Sequence, residues 1–425
     1  MSRTAARRRI SKPQGGDLLA ASWRIAAAGL VSLGVAMGIG RFAFTPLLPM
    51  MLADGVLDLP TASWLASANY FGYLVGALLC TFQPWIWRRL GQPPTPRPTL
   101  LVRGGLVMTA LLTLGMALHL PGAWPLLRFL AGVTSALVFI YTSQWCLSRL
   151  AAAGVPAMGA LIYTGPGAGI VLSGLAASAM VALNGSAALG WLLFGLLAAV
   201  LTALVWPAFR DHHPISAPPA NPVRAQHGEP HHGPAEIALL TLAYGLAGFG
   251  YIITATFLPV IARQALPGSA WLDLFWPIFG AGVIAGALMA SRVPAHRNMR
   301  LLLAGCYVVQ AAGVASSLVS STLAGFAIGS LLLGLPFTAI TFFSMQEVRR
   351  LRPRQAPSLM GLLTATYGIG QILGPPLAAA LLARSDTPGA GFSRSLEIAA
   401  AALLLGGVLF LWLARRYPVG GSAVR

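Results

Sequence analysis

Long apolar runs separated by short polar breaks set the pattern of this chain. Twelve runs stand out, at roughly 23–50, 62–87, 99–119, 123–148, 156–182, 187–207, 237–261, 271–291, 300–320, 323–346, 358–383 and 394–414. Each approaches or exceeds the ~20 apolar residues a helix needs to cross a hydrocarbon core. Buried core helices of a soluble domain match neither their number nor their length. Strand-type alternation is absent, so a membrane barrel is not expected. The pattern predicts an all-α integral membrane protein with twelve transmembrane helices. The longest polar interruption divides them into two sets of six. The expected organisation is a basic N-terminal tail (1–22), a six-helix bundle (23–207), a Pro/His-rich linker (208–235), a second six-helix bundle (236–416) and a short tail (417–425).

Composition agrees. Of the 425 residues, 56% are hydrophobic and only 9% charged. A soluble domain carries about a quarter charged residues, so that class is excluded. The formal charge is +18, from 28 bases and 10 acids. In a soluble protein that excess would suggest a nucleic-acid partner. With twelve crossings, however, the bases sort by side. Arg263, Arg384 and Arg394 fall on one side, Arg41 and Arg128 fall within runs, and the other bases fall opposite. This is the positive-inside pattern with both termini in the cytoplasm. No small-residue cleavage site follows a short apolar core, so the Arg3–Lys12 segment reads as a retained tail, not a signal peptide. Neither nucleic acid nor a metal is an expected partner. His212, His213, His227, His231 and His232 have no fixed spacing, and Cys80, Cys146 and Cys306 are far apart inside apolar runs. No cofactor is expected.

The densest constellation is Gly38-Ile39-Gly40-Arg41-Phe42-Ala43-Phe44-Thr45-Pro46-Leu47-Leu48-Pro49 in the first run. A cation there is costly, roughly 2.5–3.5 kcal/mol at a helix centre. The glycines permit close helix approach, and each proline removes a backbone donor. Set 210 positions later, Gly38, Gly40, Leu48 and Pro49 meet Gly248, Gly250, Leu258 and Pro259. The same offset pairs Gly76-Ala77-Leu78 with Gly286-Ala287-Leu288, and Gly165-Pro166 nearly matches Gly374-Pro375. Parallel six-helix repeats with a site between them mark a large class of secondary transporters.

On these features the chain resembles the major facilitator superfamily (MFS). Arg128-Phe129-Leu130-Ala131-Gly132 is similar to the superfamily's helix-four Arg-x-x-x-Gly motif. Gly165-Pro166-Gly167-Ala168-Gly169 is similar to its helix-five motif, commonest in antiporters, whose last glycine is Ile170 here. Between runs two and three, Arg88-Arg89-Leu90-Gly91 lacks the Asp of the superfamily's loop signature, so the usual inner-gate ion pair is not carried over. The 38–49 stretch and Thr366-Tyr367-Gly368-Ile369-Gly370-Gln371-Ile372-Leu373-Gly374-Pro375 resemble the bacterial YbfB/YjiJ family. That resemblance implies a transporter in the inner (plasma) membrane and leaves the substrate open.

Candidate solute-binding residues follow from helical spacing and polarity. Arg41 lies about 25 Å along its helix from Arg24 at 1.5 Å per residue, in the outer half of the membrane. Arg41 and Thr45 share a face, as do Asn69 and Tyr73, and Arg128 and Ser135. Tyr251, Tyr367 and Gln371 complete the set. Snorkelling to lipid phosphate is the competing explanation for both arginines. All ten acids lie in loops or near run ends, so no carboxylate is placed to neutralise Arg41 or Arg128. An unpaired cation facing a cavity suits an anionic solute. Asp273, between Trp271 and Trp276, is the candidate for proton coupling, and Glu347 is expected to pair locally with Arg349 or Arg350. Gly38, Gly40, Pro46, Pro49, Gly165, Pro166, Gly374 and Pro375 are candidate hinges.

The expected function is secondary transport of a small organic solute, more readily an anion, by alternating access. Efflux antiport of amphipathic compounds is the alternative. An enzyme is not expected, because no nucleotide loop with Lys, His-Glu-x-x-His or paired intramembrane acids occurs. A non-transporting sensor would need a folded soluble domain, for which the linker and tails are too short and too polar. The expected partners are the solute, membrane lipids and, if transport is coupled, a proton. A monomer is expected.

Overall fold

The computed structural model describes residues 15–91, 98–209, 233–269, 271–294, 296–352 and 356–418. Among these residues there is no strand. The helices are α1 (Gly15–Leu33), a π-helical segment (Gly34–Ile39), α2 (Phe44–Ala53), α3 (Leu59–Arg89), α4 (Pro98–Gly115), α5 (Trp124–Ala152), the single turn α6 (Gly159–Ile162), α7 (Gly165–Ala182) and α8 (Ala187–Val205). They continue as α9 (Pro234–Ala265), α10 (Phe275–Ser291), α11 (Met299–Val319), α12 (Leu323–Leu351), α13 (Ala356–Ala383) and α14 (Pro388–Arg416). Most of the expected linker, and with it the histidine tract, lies outside the described residues. So do 1–14 and 419–425. Helix α1 begins at Gly15, before the end of the expected tail.

Eleven helical spans among the described residues are long and apolar enough to cross a membrane. The first is continuous through α1, the π segment and α2, from Leu19 to Ala53. Helix α13 has the length, at 28 residues, but carries Thr364, Thr366, Tyr367, Gln371 and the Pro375-Pro376 pair, and is not among the eleven. Its polar residues face protein. Gln371 is buried, Tyr367 stacks on Tyr251, and the Thr366 hydroxyl lies 3.3 Å from Thr241 O as well as 3.0 Å from Leu363 O of its own helix. Oily residues face outward instead: on α8, Leu189, Leu192, Leu193, Leu196, Val200 and Leu204 are all exposed. In water such a stripe would be an aggregation surface, whereas in a bilayer it is the lipid-facing wall.

Local chemistry ends the helices where the polar breaks lie. Asp58 caps α3 by accepting from Thr61 N at 2.9 Å, and Ser186, Thr322 and Thr387 cap α8, α12 and α14 in the same way. Gly55 and Gly154 turn the chain at positive φ after α2 and α5.

The helices before 209 pack mainly on one another, as do those after 233. Three seams join the two groups: α3 on α13, α7 on α10, and α2 on α9. The third seam carries the sequence repeat into space. Thr45 Oγ1 donates to Ala255 O at 2.9 Å, and these positions are 210 apart. Repeat-equivalent positions thus meet across the seam between the two groups.

Candidate functional site

The α-helical hydrogen bonding of the first span is interrupted where its glycines lie. In the π segment Gly40 N bonds to Val35 O at 2.9 Å and Phe42 N to Met37 O at 3.0 Å, each five residues back. Thr45 N then turns to Phe42 O at 3.2 Å, which leaves the Arg41 carbonyl without its usual α-helical donor. Arg128 supplies the missing donors. Its Nη1 reaches Gly40 O at 3.2 Å and its Nη2 reaches Arg41 O at 3.1 Å. Ser135 Oγ donates to Ala36 O at 2.5 Å, and Asn69 Nδ2 holds the Arg128 carbonyl at 2.9 Å. Arg128, Ser135 and Asn69 therefore position an irregular backbone.

That backbone directs Arg41 into the seam. Arg41 is 3% exposed and Arg128 2%, so neither snorkels to a headgroup. Arg41 Nη2 donates to Gln371 Oε1 at 2.6 Å, and Gln371 Nε2 donates in turn to the Tyr251 hydroxyl. Arg41 and Tyr251 are themselves equivalent in the 210-residue repeat, and Gln371 bridges them. Aromatic rings surround the bridge. The Arg41 guanidinium carbon lies 4.2 Å from the Tyr73 ring centroid and 5.2 Å from that of Tyr70. Tyr251 stacks on Tyr367 at 5.8 Å and meets Phe337 edge-on at 5.0 Å. Phe337 also stands edge-on to Phe42 at 6.0 Å.

Among the described residues neither Arg41 nor Arg128 makes an ion pair. Arg41 Nε, Arg128 Nε and Asn69 Oδ1 are buried without a hydrogen-bond partner. Two close cations without a carboxylate, each with an unused Nε donor, form a pole of positive potential in a low-dielectric setting.

The structure thus brings Arg41, Tyr73, Tyr251, Tyr367 and Gln371 together, while Thr45 lies just beyond them in the seal between α2 and α9. That seal is tight. Every residue from 32 to 51 and from 250 to 262 is buried, and Tyr70 and Thr256 share a hydroxyl hydrogen bond of 2.9 Å. One turn toward the end where α3 carries Arg88 and Arg89, Tyr73 and Tyr367 are only half-buried, as are Phe337 and Thr341.

Of the candidate hinges, Gly38 lies in the π segment and Gly40 directly after it, and Pro49 and Pro375 lie inside helices. Pro46 follows near the start of α2, whereas Pro166 sits in the first turn of α7, where its missing N–H is not needed. Gly38 and Gly165 have a second task. Together with Gly34 and Gly169 they let the π segment touch α7, since a Cβ on Gly169 would lie 2.6 Å from Gly34 O and Gly38 Cα.

Asp273 is paired with Arg263 at 2.5 Å. Glu347 does not pair with Arg349 or Arg350. It accepts from Arg300 Nε at 2.5 Å, and the Nη2 of the same guanidinium binds Glu236. Arg300 Nη1 also caps α14 through Leu413 O and Tyr417 O at 2.9 and 2.8 Å. All three charged side chains are fully buried. The cause is tertiary: Arg300 is in the first turn of α11, where α9, α12 and α14 converge. Tyr70, Phe42 and Phe337, also part of the site, gave no polar periodicity to find them by.

The fold is similar to that of solved transporters. A crystal structure of a mutant of the nucleoside transporter NupG matches with a TM-score of 0.68 and 16% identity, covering 92% of this chain and 99% of that one. A second structure, of nucleoside transporter NupG itself, matches at 0.61 and 15%, covering 92% and 98%. No curated protein matches the chain significantly. The model of one family, described as the uncharacterised MFS-type transporter YbfB, matches residues 33–411. The chain therefore belongs to that family of MFS transporters.

Proposed function

We propose that this chain is a secondary transporter that moves a small organic anion by alternating access about Arg41. Twelve crossings are assigned, with α13 as the eleventh, in bundles 23–207 and 236–416 joined by the linker 208–235. Both termini are assigned to the cytoplasm, and the membrane to the bacterial inner membrane, from the arginine asymmetry and the family. The observation that carries the reading is the Arg41–Gln371–Tyr251 bridge: a buried guanidinium without an ion pair, held across the seam between the two groups of helices. The sealed α2–α9 contact and the half-buried rings on its other side fit a state closed outward. Gly38, Gly40, Pro46, Pro49, Gly374 and Pro375 lie where the helices would bend.

The test is exchange in proteoliposomes of labelled solutes in three classes: organic anions, organic cations and neutral solutes. Uridine belongs among the neutral solutes, because the fold neighbours are nucleoside transporters. The expected result is exchange of anions only. Exchange of uridine or of cations alone overturns the anion assignment, and efflux of amphipathic cations would favour the antiporter alternative. Asp273 is the proposed coupling carboxylate. Asp273→Asn should leave exchange intact and abolish accumulation driven by a pH gradient, and unchanged accumulation removes it from coupling.

A further inference from the structure

We propose that the solute is a planar aromatic monocarboxylate, and that its carboxylate takes the place of the Gln371 amide on Arg41. This rests on the anion reading above and narrows it.

The guanidinium edge formed by Nε and Nη2 presents two parallel N–H groups, the geometry that a carboxylate accepts in bidentate fashion. In Arg41 that edge is half used. Nη2 donates to a neutral amide oxygen at 2.6 Å, while Nε is buried without a partner. One amide oxygen satisfies one donor, and a carboxylate satisfies both. The valence of the site is also limited. Arg128 Nε is also without a partner, but both Nη atoms of Arg128 hold the Gly40 and Arg41 carbonyls, so that edge cannot turn to a solute without releasing the irregular backbone, and Arg41 offers the single edge free to exchange. One edge matches one carboxylate better than a dianionic phosphate or a dicarboxylate.

Rings surround that edge on both sides of the seam. Tyr73 and Tyr70 cover the guanidinium from α3, and Tyr251, Tyr367 and Phe337 stand beside Gln371 on the other group of helices. A flat ring attached to the carboxylate would meet these rings in the stacked or edge-on arrangements they already make with one another. Displacement of Gln371 also has a mechanical effect. Arg41 and Gln371 belong to opposite groups of helices, so the empty protein holds its seam with this bond and the solute exchanges it for its own.

The experiment measures the apparent melting temperature of full-length protein in detergent against four probes at up to millimolar concentration: benzoate, cyclohexanecarboxylate, acetate and benzamide. Benzoate should stabilise the wild type with a Kd about tenfold below that of cyclohexanecarboxylate, the upper end of what ring pairing adds. Acetate and benzamide should have no effect, and Arg41→Ala should not respond to benzoate. Gln371→Met removes the competing amide. It should tighten benzoate binding several-fold while lowering the melting temperature of the empty protein. Gln371→Glu supplies an internal carboxylate and should raise that temperature while abolishing the benzoate response. Opposite movement of affinity and stability is not expected of a merely structural glutamine.

Equal binding of benzoate and cyclohexanecarboxylate overturns the ring requirement and leaves the anion reading standing. Benzamide acting as well as benzoate overturns both. A benzoate response that survives in Arg41→Ala places the probe elsewhere and overturns the proposal. Silence of all four probes overturns it too, while anion exchange in proteoliposomes would still uphold the broader reading.

Discussion

Replacing Arg300 by Met tests how the second group of helices is held at the end where α14 finishes. Arg300 is fully buried between Glu236 and Glu347, and it also donates to two backbone carbonyls of the α14 terminus. Removal takes this guanidinium away from two buried carboxylates and its donors away from the Leu413 and Tyr417 carbonyls. Breaking a buried pair on one side costs about 3–5 kcal/mol, because the remaining charge is uncompensated. Four donated hydrogen bonds disappear together, so Arg300→Met should fall at or above the top of that range. The companion variant decides the cause. With Glu236→Gln and Glu347→Gln added, the carboxylate term is removed and the loss should shrink to the two α14 carbonyls, about 1–3 kcal/mol each, a cost that Arg300→Met carries in addition to the charge term. The assay is the apparent melting temperature of purified protein in one detergent. The expected order is wild type, then the triple variant, then Arg300→Met well below both. Equal melting of Arg300→Met and the triple variant would refute the reasoning, since packing and not charge compensation would then set the cost.

Three further outcomes are expected. Gly169→Val should prevent assembly of the first span against α7, because even a Cβ would lie 2.6 Å from Gly34 O and Gly38 Cα, and folded yield in membranes measures it. Arg128→Lys keeps the charge but replaces the two-pronged donor by a point charge, so it should cost about 1.5–3 kcal/mol for the lost charged hydrogen bond and weaken solute binding without changing which solutes bind. A change in selectivity would mean that Arg128 touches the solute. Thr61 hydrogen bonds hold the Asp58 carboxyl below its ordinary range. A depressed folded pKa contributes stability above the unfolded value, and it is lost as pH falls through the folded one. Asp58→Asn still caps α3, so the variant should melt with a shallower dependence on pH below about 4, and identical profiles would exclude the contribution.

Local pattern made the helices legible in the sequence. Apolar runs located them because a bilayer leaves few alternatives to a helix. The 210-residue offset, found in Gly38/Gly248 and Gly40/Gly250, reappears physically where Thr45 meets Ala255. Arg41, Tyr251 and Gln371 each stand out as polar in an apolar run, and they converge. Their neighbours Phe42, Tyr70 and Phe337 do not, because an aromatic residue in an apolar helix carries no signal of which surface it faces. The π segment leaves no mark in the sequence either, since its one extra residue per turn leaves composition unchanged and shows only in which carbonyl each N–H reaches. The task of Arg128 depends on that irregularity, so it could not be anticipated either. Glu347 has Arg349 and Arg350 close in sequence, yet it pairs with Arg300, 47 positions away, because α11 and α12 pack together.

The most direct measurement is solute-dependent thermal stability of the wild type and Arg41→Ala over one panel of organic anions, cations and neutral solutes. A ligand that binds only the folded state raises its stability with concentration. Arg41 acting as the solute's counter-charge predicts that an anion stabilises the wild type and leaves Arg41→Ala unmoved. Equal stabilisation of both proteins by the same anion, or a response confined to neutral or cationic solutes in both, would contradict it.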